Sequence, residues 1–198
     1  MSARIRQTPH IEGNFATCVV IELGLDNANV LRSFITQAAS ILHTFSQTVS
    51  EISHLHLSLS RHVFLKPHLI DSFLSKIGSA FSNTRASTIY LSPEVRVYLN
   101  ESRDTAFAAV PVDIDVSRNC LSLIRQVDSV MAQFDLPTYY ENPSPHVSLA
   151  SASNPAGFPS EFSSHCSQLE NVDLDELCID VDKISVYVGN TVHAIYFS

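Results

Sequence analysis

Two short runs carry the residue types for chemistry. One is His54-Leu55-His56-Leu57-Ser58-Leu59-Ser60; the other, ninety residues after His56, is His146-Val147-Ser148-Leu149. Each contains His-x-Ser. Side chains alternate across a strand, so residues two apart share a face, roughly 6.6–6.8 Å from one another at strand rise. His56 and Ser58 are therefore expected on one face and Leu55, Leu57 and Leu59 on the other, with His146 and Ser148 repeating the arrangement. An imidazole titrates near pH 6.5, so in a pair one ring can accept a proton while the other donates one. A hydroxyl beside each ring could donate to the non-bridging oxygens of a phosphate as charge builds there. RNA brings its own nucleophile in the ribose 2′-OH, so two such pairs could cleave a strand without metal.

Other chemistries fit parts of the same pattern. His54 and His56, two apart on a strand, could ligate a metal if His146 supplied a third ligand, but no acidic residue is spaced to help. A nucleophilic serine is the other option, and neither run shows the Gly-x-Ser-x-Gly elbow that would expose one. His10, His43, His54, His62, His68, His165 and His193 read as surface or structural residues. Tyr139 and Tyr140 either pack their loop or stack on a base, as tyrosines do in single-strand RNA sites. Arg61, His62, Lys66 and His68 either attract a phosphate chain or form a solvated helix start.

Both runs need elements to hold them. Phe15–Leu23 is β-branched and apolar and reads as a buried strand. Apolar residues at spacings of three and four predict one amphipathic helix over Asn29–Phe45. His54–Ser60 alternates as a strand, and Pro67 suits the first turn of a helix whose stripe is Ile70, Phe73, Leu74, Ile77 and Phe81. Thr88–Leu99 and Thr105–Val112 read as strands joined through a polar Asn100–Asp104 hairpin loop. Ser117 is placed to cap a helix with the face Leu121, Ile124, Val127, Met131 and Phe134. That helix fails at Asp135, and the chain runs through three prolines and two tyrosines into the His146 strand. Beyond it lie a Ser151–Pro159 loop, a short helix near Ser160–Leu169, and strands over Leu177–Val188 and Val192–Phe197 about a Gly189-Asn190 turn. Helices alternating with hairpins point to an α+β fold with mainly antiparallel sheet. Helix followed by His-x-Ser strand occurs in both halves and suggests two similar lobes in a single domain over 1–198.

Composition limits the partners. Of 198 residues, 45% are hydrophobic and 16% charged, which suits a packed interior. The formal net charge of −8 is the wrong sign for gripping long duplex, though it leaves room for a pocket that reads an RNA end. No signal peptide is expected over Met1–Gly13, and no run approaches the ~20 apolar residues of a membrane helix. Cys18, Cys120, Cys166 and Cys178 lack CxxC spacing and read as buried thiols of a reducing compartment.

The paired tetrads resemble the 2H phosphoesterase superfamily, and within it the U6 snRNA phosphodiesterases (Usb/Mpn). The closer likeness rests on four stretches over most of the chain: Arg4–Thr17, the first tetrad with its Ser58-Leu-Ser60 tail, Val127–Phe134, and Thr138-Tyr-Tyr-Glu-Asn-Pro-Ser-Pro-His-Val-Ser-Leu149. It implies a bilobal α+β fold of two pseudo-symmetric lobes, with the tetrads meeting at a central cleft. It also implies a metal- and cofactor-independent 3′-to-5′ RNA exonuclease that trims the oligouridine end of U6 snRNA, leaving a cyclic phosphate or a 3′-phosphate. By motif, His56 and His146 become the catalytic pair, Ser58 and Ser148 the phosphate-oxygen donors, and Tyr140, with Tyr139 beside it, the base-binding residue. The expected partner is a uridine-rich single-stranded RNA 3′ end, bound by a monomeric nuclear enzyme with no membrane attachment. Another 2H enzyme acting on small cyclic nucleotides or tRNA-splicing ends, and a non-catalytic RNA-end binding module, are the alternatives.

Overall fold

The computed structural model describes residues 13–153, 166–169 and 177–198. The apolar run after Gly13 forms strand β1 (Phe15–Glu22), with Val19 and Ile21 fully enclosed and Phe15 and Glu22 in solvent. The helix predicted over Asn29–Phe45 is two helices, α1 (Leu25–Arg32) and α2 (Ile35–His43). The break has a local cause. The Ser33 and Phe34 amides donate to Val30 and Leu31 carbonyls three residues back, and the Ser33 hydroxyl takes the Val30 carbonyl as well, at 2.6 Å. Such bonds tighten the turn and change the helix direction.

A short β2 (Val49–Glu51) precedes the first tetrad, of which only β3 (His56–Ser58) is regular strand. β4 (Val63–Leu65) and a single 3₁₀ turn begun by Pro67 lead into α3 (Ile70–Phe81), which buries Phe73, Ile77 and Phe81. The strand read over Thr88–Leu99 is divided into β5 (Ser87–Tyr90) and β6 (Glu94–Leu99). β6 forms the expected hairpin with β7 (Thr105–Pro111), and the Asn100 side chain holds the loop by accepting from the Asp104 and Thr105 amides. Ser117 precedes α4 (Arg118–Gln133) but does not cap it. Its hydroxyl accepts from the Tyr90 amide at 2.7 Å and ties the helix start to the end of β5.

α4 stops in a Schellman arrangement. Asp135 turns to φ +53°, its amide donates to Ala132, and the Leu136 amide donates to Met131. The chain then enters β8 (His146–Ser153). Residues 166–168, read from the sequence as helix, are strand β9 (Cys166–Gln168); the rest of that helix and the end of the Ser151–Pro159 loop lie outside the described residues. β10 (Cys178–Val181), β11 (Lys183–Val188) and β12 (Thr191–Tyr196) follow, so the Leu177–Val188 run divides at Asp182. Gly189 makes the last turn at φ +59°, a conformation open to glycine at little cost.

Ten of these strands form one sheet in the order β12-β11-β1-β3-β8-β7-β6-β9, with β4 paired to β1 and β2 to β8. β5 and β10 make a separate two-stranded ribbon. The long sheet falls into two halves about the β3/β8 seam, five strands in each when β4 and β2 are counted with β1 and β8, and both tetrads lie on the seam. α2 packs over β7 and β8, where Ala106, Ala108, Ala150 and Ala152 leave room for it. α3 and α4 pack together through the edge-to-face contact of Phe73 and Phe134. Leu57 and Val147, paired across the seam, are both fully buried in the apolar core. Leu57→Ala is expected to cost about 2–5 kcal/mol of stability, read as a lower midpoint in equilibrium urea unfolding with the slope unchanged.

Candidate active site on the central seam

The Leu57–Val147 pairing sets the site. Continuing that antiparallel register places His56 across from Ser148 and Ser58 across from His146. All four then project from the face opposite the buried leucine and valine, and all four are partly accessible. The two tetrads thus form a compact two-by-two patch. Neither motif alone contains this geometry, because it depends on a strand pairing between residues ninety positions apart.

Each imidazole is held in the same way. The His56 Nδ1–H donates to the His54 carbonyl at 2.9 Å, and the His146 Nδ1–H donates to the Ser144 carbonyl at 2.7 Å. A carbonyl can only accept, so each bond selects the tautomer that carries its proton on Nδ1. In both rings Nε2 is then the nitrogen that carries no proton. The serines divide by role. Ser60, beyond the first tetrad, is structural: its hydroxyl accepts from the buried Val19 amide and donates to the Arg61 carbonyl. Ser58 and Ser148 have no such bond within the described residues.

The surroundings make the two histidines unlike. His146 lies flat against Tyr98 of β6, with ring centroids 4.0 Å apart and planes 13° from parallel. Burial, and to a lesser degree the charge on His56, hold its pKa below the ordinary imidazole value, while the Ser144 carbonyl opposes the shift. His56 instead has Glu22 directly across from it on β1. The Glu22 carboxylate accepts from the hydroxyls of Tyr187 and Ser185, the latter at 2.7 Å. The Tyr187 bond is the main cause of its lowered pKa; Ser185, Lys183 and His56 act in the same direction, against partial burial. A cavity of about 120 Å³ opens beside Glu22, His56 and Tyr187, with Arg32 and His54 also on its wall.

The two tyrosines have separate placements. Tyr139 is 9% exposed, and its amide donates to the Asp128 carboxylate of α4 at 2.7 Å. Its ring meets Tyr140 edge-on at 5.3 Å. Tyr140 is 43% exposed, and the Arg61 guanidinium lies 4.2 Å from its ring centre, fixed in turn by Glu101 at 3.1 Å. Tyr139 packs the loop, as one of its two sequence readings held, and Tyr140 presents its ring. Of the basic stretch after the first tetrad, Arg61 has joined this aromatic corner.

Sequence reasoning did not single out Glu22, Tyr98, Ser185 or Tyr187. Glu22, Ser185 and Tyr187 meet across strands distant in the chain, Tyr98 reaches His146 from two strands away, and a lone Glu or Tyr in an apolar run gives no local signal. Among the described residues, no three His, Cys, Asp or Glu side chains gather to hold a metal ion. His54 is exposed, and its carbonyl serves as the anchor of His56. Cys120 is buried, and burial pushes its thiol up to about 12, well away from nucleophilic use. No helix among the described residues is long and apolar enough to cross a membrane.

Comparison with known proteins agrees with this architecture. Residues 2–196 match the family described as "HVSL: Uncharacterised conserved protein", a tetrad that stands here as His146–Leu149. U6 snRNA phosphodiesterase 1 of Drosophila melanogaster is 31% identical over 188 residues, which cover 94% of this chain and 71% of that protein. The protein of the same name from Dictyostelium discoideum is 29% identical over 147 residues, 74% of this chain and 54% of its own length. The chain thus spans between half and three quarters of these relatives. Kluyveromyces marxianus Usb1 has the same fold, with a TM-score of 0.62 at 16% identity over 93% of this chain and 98% of that one. Its complex with uridine monophosphate superposes with a TM-score of 0.58 at 15% identity over the same shares. With paired His-x-Ser strands at the centre of one antiparallel sheet, the chain belongs to the HVSL family, together with the proteins named U6 snRNA phosphodiesterase 1.

Proposed function

We propose that this protein is a phosphodiesterase of single-stranded RNA 3′ ends that removes terminal nucleotides in the 3′-to-5′ direction. The observation that carries the proposal is the two-by-two patch of His56, Ser58, His146 and Ser148, with both imidazoles anchored at Nδ1. One Nε2 takes the proton of the penultimate ribose 2′-OH. The freed oxygen attacks the adjacent phosphorus, the bond to the departing 5′-oxygen breaks, and the other Nε2 protonates that oxygen. Ser58 and Ser148 donate to the non-bridging oxygens as charge concentrates there. The first product is a 2′,3′-cyclic phosphate, and attack by water opens it to a 3′-phosphate.

Tyr140 stacks on a base, with Tyr139 bracing it from the edge. The names of the relatives favour the uridine-rich 3′ end of U6 snRNA as the substrate, and with it work in the nucleus. The uridine monophosphate complex of the Kluyveromyces protein favours a uridine site in the same fold. The catalytic roles need no cofactor and only one copy of the chain.

A short RNA ending in uridines, incubated in EDTA with its product ends identified by mass spectrometry, tests this reading. Stepwise loss from the 3′ end, stopped by a single 2′-deoxy ribose at the penultimate position, is the expected result. Cleavage that ignores the deoxy sugar overturns 2′-OH attack. Activity that requires an added metal returns His54 and His56 to the role of ligands. His56→Ala and His146→Ala should each lower kcat by about 10²- to 10⁴-fold without loss of cooperative unfolding; full activity in either one sinks the acid–base assignment. Tyr140→Ala should weaken use of the oligomer by about 1–3 kcal/mol, the size of one base–aromatic stack, and Tyr140→Phe should restore it. Equal rates of Tyr140→Ala and wild type on the oligomer, with a cyclic mononucleotide turned over faster, would favour the small-substrate branch of the superfamily.

A further inference from the structure

The two tetrads are alike in sequence, so the motifs do not say which histidine gives the proton and which takes it. Their neighbours differ, and the difference is built into the sheet. On the β1 side, the cross-strand partner of His56 is Glu22, whose carboxylate interacts with it electrostatically. That carboxylate is not a loose surface group: hydroxyls of Tyr187 and Ser185 bind its two oxygens from the next strand, β11. On the β7 side, His146 has Pro111 as its cross-strand partner and the Tyr98 ring on its face, and neither carries charge at neutral pH.

We propose that Glu22 is a positioning residue that, through its fixed carboxylate across from His56, makes His56 the general acid and His146 the general base. The inference rests on the phosphodiesterase reading above and deepens it. A carboxylate beside an imidazole favours the imidazolium, and a desolvated imidazole stacked on an aromatic ring favours the neutral form. Glu22 thus favours the charged form at His56, and burial favours the neutral form at His146. His146 Nε2 accepts the 2′-OH proton, the new O2′–P bond forms as the P–O5′ bond breaks, and His56 Nε2–H supplies the proton to O5′. Solvent restores the starting protonation states afterwards.

Charged and titratable groups surround Glu22 among the described residues. Lys183 and Tyr187 come from β11, His56 and His54 from β3 and the residues before it, and Arg32 from α1 across the small cavity. The Tyr187 and Ser185 hydroxyls, with Lys183 and His56, hold the Glu22 pKa down against partial burial. Glu22 also touches solvent, which limits the strength of its field at His56.

The first measurement is an NMR titration of labelled histidines in wild type and Glu22→Gln, with the two rings assigned from His56→Asn and His146→Asn. In Glu22→Gln the His56 titration should move to lower pH and that of His146 should not follow it down. An unmoved His56, or a downward move of His146 alone, overturns the proposal. Because this readout needs no turnover, it stands even if the chain proves not to cleave RNA, an outcome that would count only against the phosphodiesterase reading. The second measurement is the pH profile of kcat/KM. The alkaline limb should move to lower pH in Glu22→Gln and the acid limb should stay, with a loss at pH 8 of about three- to ten-fold, the size expected of one charge at a half-solvated site. A substrate with sulfur in place of the departing 5′-oxygen needs no acid, so there the deficit should vanish. An equal deficit on both substrates means a structural role only. If Glu22→Gln does not fold, Tyr187→Phe keeps the charge but loosens it, and a smaller shift in the same direction decides the question.

Discussion

The whole site depends on a single strand pairing. Leu57 and Val147 meet where the two halves of the sheet join, and both are buried without residual exposure. Side chains alternate along a strand, so this apolar pair on one face requires four polar side chains on the other. A slip of one residue in either strand would turn one His-x-Ser into the core and bring an apolar residue out. Burial of a leucine and a valine therefore enforces the register of the chemistry. The hydrophobic effect, which has no direction of its own, here determines where two imidazoles and two hydroxyls point.

The backbone then refines what the register places. Both imidazoles donate Nδ1–H to the carbonyl two residues earlier in the chain, so ring orientation and tautomer follow from local bonds that each tetrad brings with it. What local bonds cannot supply is asymmetry. That comes from the sheet neighbours: Glu22 with its two hydroxyl partners beside His56, and the Tyr98 ring over His146. A proton-transfer pair needs its members unequal at the working pH, and two copies of one motif become unequal only through what packs around them.

The aromatic corner shows the same dependence at longer range. α4 ends where Asp135 takes a left-handed turn and Leu136 reaches back to Met131, which sends the chain along the helix side. Asp128, seven residues before that turn, catches the Tyr139 amide, and buried Tyr139 braces exposed Tyr140. Arg61 reaches the Tyr140 ring from just beyond the first tetrad, with Glu101 of the β6–β7 loop behind it. Four separate stretches of chain thus converge on one ring.

Much of this was legible in the sequence. The period-two alternation placed both tetrads on strands, the three-and-four spacing placed α3 and α4, and the Gly189-Asn190 turn placed the last hairpin. Those are local patterns, and local backbone chemistry decides them. The misses were also physical. Ser33 offered its hydroxyl to a carbonyl and broke a helix that hydrophobic spacing alone would continue. Ser117 gave its hydroxyl to a strand instead of to the helix it precedes, and residues 166–168 paired with β6 as strand where short-range pattern suggested helix. The residues that distinguish His56 from His146 were invisible, since Glu22, Ser185, Tyr187 and Tyr98 gain their meaning only from partners far away in the chain. By itself, then, the sequence determined which side chains could move protons and on which elements they would lie, because residue type and period are local properties. The tertiary structure alone decided that the two sets meet, and that they meet in unlike surroundings, because pairing across ninety residues is settled by burial of the whole core.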